Sequence, residues 1–155
     1  MPSVTIEYVI LIPLLFTQVI VFPLVASTMT NSWQDSQRDV ALQDVANNLV
    51  STIQQLYLTV NRDEILDGNI TQVSNVPTTV DSYPYTANAS LSSDPNLAKV
   101  LTVTLTLADL GNTVNASVVL GQNVYWVGSS LNSYSVDSYI KVEKENGDLT
   151  FSFGG

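Results

Sequence analysis

The sequence predicts an α+β fold, in which a long N-terminal α-helix is followed by a small antiparallel β-sandwich or β-barrel-like head. Three observations support this prediction. An apolar run opens the chain, an amphipathic helical pattern follows it, and apolar residues alternate with polar ones from Asn69 onward. The chain of 155 residues has room for one globular core. We therefore predict a helical region, residues 1–60, and a β-rich head, residues 61–155.

The first element is an apolar segment, Val4 to Met29, in which Glu7 is the only charged residue. As a helix it would be about 39 Å long, enough to cross a hydrocarbon layer of about 30 Å. No Lys or Arg precedes Arg38, so the segment lacks the basic region of a secretory signal peptide. We expect a retained, membrane-length helix with a processed N-terminus.

The second element is an amphipathic helix between Asn31 and Val60. Its apolar residues recur at steps of three and four positions, namely Val45, Leu49, Ile53, Leu56 and Val60. No Gly or Pro separates it from the apolar segment, so we predict one rod from about Val4 to Val60, ended by Asp67-Gly68. A rod of about 85 Å exceeds what a head of this size needs for its core. Its first half must therefore contact other partners.

The head is predicted to contain five or six strands, because its apolar residues recur at every second position. In the clearest run, Leu97 to Asp109, leucine and valine alternate with threonine. Asn146-Gly147 predicts a type I′ hairpin turn. The other predicted strands are Thr113 to Leu120, Asn123 to Val127, Ser138 to Glu143 and Leu149 to Phe153.

Composition excludes several classes of function. The net charge of -9 disfavours nucleic acid as a partner, and the chain contains no Cys and no His. Thiolate nucleophiles, imidazole bases and the commonest zinc ligands are thereby removed, so we expect no enzyme activity, no metal and no cofactor. The acidic cluster Asp63, Glu64 and Asp67 lacks the spacing of a calcium loop. We interpret Lys141 and Lys144 as exposed strand charges that discourage edge pairing.

Glu7 is the first candidate for a functional contact. A charge within an apolar helix costs about 2.5 to 3.5 kcal/mol on insertion scales and needs a partner. In a helical bundle its carboxylate could pair with the N-terminal amine of a neighbouring subunit and set the axial register. The alternative is a position at the membrane interface, within reach of lipid headgroups.

Two prolines interrupt the apolar segment. Pro13 and Pro23 each remove a backbone donor and clash with the preceding turn, so they should kink or locally open the helix. A helical bundle or a membrane can absorb that cost. With Glu7 and these prolines, the candidate assembly residues are the apolar side chains Ile10, Leu14, Phe16, Ile20 and Phe22.

Three N-glycosylation acceptor patterns occur in the predicted head, at Asn69, Asn88 and Asn115. Three such patterns in one small head favour a location of the head at an extracellular surface. In a chain rich in Asn, Ser and Thr, chance also produces such patterns. Covalent N-glycans are therefore a candidate modification.

The order of these parts resembles the archaeal type IV pilin and archaellin superfamily. The likeness lies in the nearly uncharged helix IEYVILIPLLFTQVIVFPLV, its amphipathic continuation through Val60, and a hydroxyl-rich β head. Glu7 resembles the glutamate near the N-terminus of bacterial pilins, and Pro23 resembles their helix-kinking proline. The resemblance implies cleavage by a prepilin peptidase, a stage in the membrane, and assembly by dedicated machinery into a helical filament.

We therefore expect a structural subunit of an extracellular filament, a homo-oligomer that polymerises through its N-terminal helix. Two alternatives stay open from the sequence. One is a single-pass, membrane-anchored surface protein whose β head binds a ligand. The other is an archaellin of a motility filament.

Overall fold

The computed structural model describes residues 3–92, 98–135 and 137–154, with side chains described from residue 9 onward. The chain is α+β: a long N-terminal helix is followed by a β-rich head. The chain divides into two compact units, one ending at Gln37 and the other beginning at Arg38. The second unit includes the last part of the helix together with every strand.

The helical region has three consecutive parts. Helix α1 is Ser3–Phe16, a π-helical segment is Thr17–Val21, and helix α2 is Phe22–Val60. The helix ends at Val60, where the sequence pattern ends, and Asp67-Gly68 instead leads into the first strand. The predicted helical character of both stretches is therefore confirmed.

The described residues form eight strands in two sheets. One sheet has the order β1-β7-β8-β5 and the other has the order β4-β3-β2-β6. All pairs are antiparallel except β5 with β8, which run parallel. The strands are β1 (Gly68–Val73), β2 (Tyr85–Leu91), β3 (Lys99–Leu107), β4 (Thr113–Leu120), β5 (Val124–Trp126), β6 (Ser130–Asn132), β7 (Tyr139–Glu145) and β8 (Asp148–Gly154).

The sequence prediction of five or six strands missed strands with weak patterns. Strand β1 is exposed at five of its six positions, β2 has only two buried residues, and β6 has only three residues, so none of the three shows a clear apolar alternation. In β3, by contrast, Leu101, Val103, Leu105 and Leu107 are all buried. Alternation therefore identified the strands that supply most of the core. The start of the predicted run, Leu97, lies outside the described residues.

A stripe of helix α2 supplies one side of the core. The described apolar positions from Leu42 to Val60 that recur at helical spacing are buried together with the inward side chains of both sheets. Leu42, Leu49 and Ile53 are essentially inaccessible to solvent. Full burial of one such side chain contributes about 1.5 to 3 kcal/mol. The part of α2 from Leu42 to Val60 is therefore part of the head. The sequence prediction had assigned residues 1–60 to the helical region and had begun the head at residue 61.

The hairpin between β7 and β8 has the predicted turn. Glu145 pairs with Asp148, and Asn146 and Gly147 have φ values of 53° and 88°. Two positive φ values at the central positions are the requirement of a type I′ turn, which Asn and Gly meet at low cost. The prediction of this hairpin is confirmed.

Lys144 has a different role from the one its sequence position suggested. It lies on the inward side of β7, and only 9% of its surface is exposed. Its Nζ donates hydrogen bonds to the backbone oxygens of Val60 (3.1 Å), Arg62 (2.7 Å) and Ile65 (2.8 Å). The prediction of an exposed charge guarding an edge is wrong, because β7 pairs on both sides. Lys144 instead satisfies carbonyl groups at and beyond the C-terminus of α2, where a cation is favoured.

We expect Lys144→Met to lower the free energy of unfolding by about 2 to 4 kcal/mol, because three carbonyl groups lose a charged donor. Urea unfolding of the full chain in detergent, followed by near-UV circular dichroism, would measure it. Lys141→Met is the matched control, since Lys141 lies on the same strand and only pairs with Glu143 at the surface. The control should change stability by less than about 1 kcal/mol. Equal effects of the two substitutions would contradict the capping role.

Tyr85 is the largest fully buried side chain in the head. Its hydroxyl donates a 2.6 Å hydrogen bond to the Pro77 carbonyl, and its backbone N–H donates to Ser133 Oγ. Burial raises the pKa of Tyr85 from 10.0 to about 12, because the phenolate would be poorly solvated.

This raised pKa predicts a loss of stability in alkali. Between pH 10 and pH 12 the unfolded chain releases the Tyr85 proton while the folded chain keeps it, so the free energy of unfolding falls as pH rises. The expected loss from this group is about 2 to 3 kcal/mol by pH 12. Urea unfolding at several pH values should show a shallower decline in Tyr85→Phe, which lacks the proton. Identical pH slopes for the two proteins would refute this assignment.

Candidate assembly surface

The apolar segment forms a fully exposed surface in the first unit. From Val9 to Gln37 every side chain is exposed. Among the candidate assembly residues, the exposed fraction runs from 48% at Ile20 to 73% at Phe22, and the others are Ile10, Leu14 and Phe16. A soluble protein rarely leaves a continuous apolar surface of this length uncovered. The segment therefore needs a covering partner.

The apolar surface surrounds the helix and is not confined to one face. The eight residues from Val9 to Phe16 contain no polar side chain, and eight residues make more than two helical turns. A helix that is apolar all round is stable when it is buried on all sides, in a lipid bilayer or within a bundle. A single flat partner would leave much of this surface in water.

Two threonine hydroxyl groups within this region are paired with carbonyl groups of the helix itself. Thr17 Oγ1 donates to the Pro13 carbonyl at 2.9 Å, and Thr28 Oγ1 donates to the Val25 carbonyl at 2.8 Å. These bonds leave fewer polar atoms that need water. The segment is therefore suited to an apolar environment despite its threonines.

The π segment lies between the two prolines. Pro13 is within α1, and Pro23 is the second residue of α2. A proline clashes with the carbonyl four residues earlier, which for Pro23 belongs to Val19 within the π segment. Widening of the turn relieves this clash, because π-helical hydrogen bonds span five residues instead of four. This local opening accommodates Pro23 without ending the helix.

Glu7 lies in α1, and its side chain is outside the part that the structure describes. The next charged residue along the chain is Asp35. About 40 Å of helix therefore separates two charged positions at the standard rise. The partner of Glu7 stays a prediction.

Trp33 was not among the residues predicted from the sequence to take part in assembly. Its side chain is 64% exposed and lies just beyond the apolar segment, in the same unit. Tryptophan is enriched where a helix passes from hydrocarbon to water. The sequence did contain a signal for this position, namely an aromatic residue shortly after the end of the apolar segment at Met29.

The three glycosylation candidates lie on exposed strand positions. Asn69 is in β1, Asn88 is in β2 and Asn115 is in β4. The first lies in one sheet and the other two lie in the second sheet. Within the described residues, no group of three or more acidic side chains is placed to hold a metal ion.

Comparisons with known proteins give no relative. The chain matches no protein-family model, no curated protein and no solved structure. The helical stretch Val9–Val60 is long and apolar enough to cross a membrane by length and composition, criteria that signal sequences and core helices also meet.

We expect Pro23→Ala to convert the π segment into regular α-helix, since alanine restores the missing N–H and removes the ring clash with Val19. Backbone chemical shifts and amide hydrogen bonds of the full chain in detergent micelles would report the change between Thr17 and Val21. Pro77→Ala, outside the helical region, serves as the control and should leave these signals unmoved. Persistence of the widened turn in Pro23→Ala would show that Pro23 does not cause it.

Proposed function

We propose that the chain is a structural subunit of an extracellular, type IV pilus-like filament, which polymerises through its N-terminal helix while the β head faces outward. The observation that carries this proposal is the uncovered apolar surface of the first unit, in a chain whose second unit has a closed core of its own. Copies of the same helix are partners of matching length and chemistry.

Burial of the apolar segment would supply the cohesion of such a filament. Each large apolar side chain transferred fully from water contributes about 1.5 to 3 kcal/mol, and more than a dozen are exposed between Val9 and Met29. Because they surround the helix, one copy can contact several neighbours at once. Polar contacts between the surfaces of neighbouring heads would contribute less free energy to the cohesion of the filament.

We infer that the subunit lies in a membrane before assembly, because the same apolar side chains are stable in lipid. In lipid the apolar side chains are already removed from water, so the hydrophobic gain on moving them into a filament core is much smaller. Extraction then needs an external source of energy. Assembly machinery and a processing peptidase are accordingly partners in this proposal, as the resemblance to pilins implies.

Glu7 has a defined part in this proposal. A carboxylate in the apolar core is costly unless it is paired, and the N-terminal amine of a neighbouring copy is a cation that can reach it. The carboxylate and the amine would meet at only one axial offset between neighbouring helices. The ion pair would therefore favour that offset over all others. Glu7 would therefore set the register of the polymer.

The finer architecture of the head belongs to the same proposal, and we infer a sandwich or barrel-like arrangement. Strand β2 approaches β5, and β6 approaches β8, so the two sheets come close along one side. The inward side chains of both sheets share one core with the stripe of α2. A head closed in this way could face solvent on its outer surfaces.

Electron microscopy of material sheared from the surface of producing cells tests the proposal directly, with the subunit identified by mass. We expect thin filaments whose only major protein is this chain, with helices in the core. Recovery of the chain only as single copies in the membrane would overturn the proposal and favour an anchored binding protein. Filaments that rotate as the cell swims would instead identify an archaellin.

Glu7→Gln should lower the filament yield severalfold or alter the helical symmetry, because the amide cannot form the ion pair with a neighbouring amine. The yield after shearing and the symmetry in micrographs are the two measurements. Glu143→Gln removes one carboxylate from the exposed surface of the head and is the matched control. Normal yield and unchanged symmetry in Glu7→Gln would remove Glu7 from the mechanism.

A further inference from the structure

Strand β1 is an edge strand whose outer edge has no partner among the described residues. It pairs with β7, and in the same register the Ser74 N–H donates a 3.0 Å hydrogen bond to the Ser138 carbonyl. In an antiparallel pair every second residue bonds to the neighbouring strand, and the residues between direct their backbone groups away from it. The N–H and C=O groups of Asn69, Thr71 and Val73 therefore point to the free edge.

The other sheet edges formed by the described strands are covered or short. At the β4 edge, Gln43 Nε2 of helix α2 donates to the Asn115 carbonyl at 3.1 Å. One helical turn earlier, Asp39 Oδ1 accepts a 2.7 Å hydrogen bond from Asn112 Nδ2. Strands β5 and β6 have three residues each.

Strand β1 lacks the features that protect an edge strand. It has six residues, none of them charged and none of them proline, and five of the six are exposed. Short length, charged side chains, proline or a covering element normally keep such an edge from pairing with another chain. Strand β1 is therefore the part of the head best suited to accept an added strand.

We propose that β1 pairs edge to edge with β1 of a second copy of this chain, in an antiparallel register centred on Thr71. Thr71 then lies opposite Thr71 of the second copy, and Asn69 lies opposite Val73 of the second copy. Each of these pairs exchanges two backbone hydrogen bonds, so every N–H and C=O group on the two free edges gains a partner. A shift of the register by two residues leaves groups unpaired at both ends.

The charges around β1 favour this partner and this register. Two chains of net charge -9 repel each other, so they meet most readily where their charges stay apart. On the outer face Lys141 lies beside Thr71, and Glu143 lies beside Asn69. Across the pair the two Lys141 positions are roughly 14 Å apart and the two Glu143 positions roughly 20 Å apart, because neighbouring strands are about 4.8 Å apart. Both distances exceed the screening length of about 10 Å at 0.1 M salt.

The symmetry of the pair determines what it joins. Successive subunits of a helical filament meet through two different surfaces, whereas an antiparallel β1 pair uses the same surface on both copies and has a two-fold axis. The β1 pair therefore joins heads of separate filaments, or heads of separately anchored chains, side by side. Such pairing does not depend on polymerisation.

Disulfide formation in the full chain tests the register, because the chain contains no cysteine of its own. Cα atoms of a hydrogen-bonded antiparallel pair are about 5.5 Å apart, within the range that a disulfide spans. In detergent micelles under mild oxidation, we expect Thr71→Cys to form linked dimers. Asn69→Cys and Val73→Cys should cross-link about tenfold better when mixed than alone, because identical residues lie roughly 14 Å apart in this register.

Charge variants separate strand pairing from a loss of folding. In the mixed Asn69→Cys and Val73→Cys chains, Thr71→Lys in both should lower the dimer yield about tenfold, since like charges then lie opposite each other. Thr71→Glu in both chains should do the same. Thr71→Lys in one chain and Thr71→Glu in the other should restore the yield, which a misfolded head would not do. Thr71→Val is the matched control and should leave the yield unchanged.

Absence of Thr71→Cys dimers would overturn the proposal, as would a failure of the oppositely charged chains to restore the yield. Association through the N-terminal helices alone fixes no register of β1, so equal yields from all cysteine mixtures would also refute it. Filaments of the natural chain without β1 cross-links would refute only the strand pairing. Cross-links in a chain that never polymerises would refute only the filament.

Discussion

The structure depends on one constraint, the burial of a single apolar stripe of helix α2, from Leu42 to Val60, in one core with residues of both sheets. Neither sheet could close a core alone, because each has four strands with only one apolar face. The helix supplies the missing side. Its C-terminal carbonyls then need partners, and Lys144 provides them from the inward side of β7. Arg38, where the second unit begins, pairs with Asp81 at 2.6 Å and connects the helix to the Val80–Tyr83 turn.

The same helix has a second kind of surface before Gln37. There every described side chain is exposed, and the stretch from Val9 to Phe16 is apolar on every side. One continuous helical region thus combines an element of a globular core with an element suited to lipid or to other helices. The π segment keeps this region helical past Pro23. A polymer built on such helices would have an apolar centre and polar heads.

Polar chemistry in the head divides between its two sheets. One outer face carries charged side chains and the other carries hydroxyls and amides, with Asn88 and Asn115 in one row. This division is invisible in the linear sequence, where residues 88, 104 and 115 lie far apart. Strand register brings them together. Lys144 differs in this respect, because Ile140 and Val142 lie at alternate positions of the same strand and are buried, so the sequence pattern indicated its inward position. Only its contacts with the end of α2 depend on residues distant in sequence.

The sequence by itself determined the class of the fold, the extent of the helix and the clearest strands, because those features follow from local periodicity and from turn residues such as Asn146-Gly147. It also determined that the apolar segment exceeds the needs of a small head. Only the tertiary structure decided which half of the helix joins the core, that β5 runs parallel to β8, and which residues meet across the sheets. Those outcomes depend on contacts between residues distant in sequence, which no local pattern encodes.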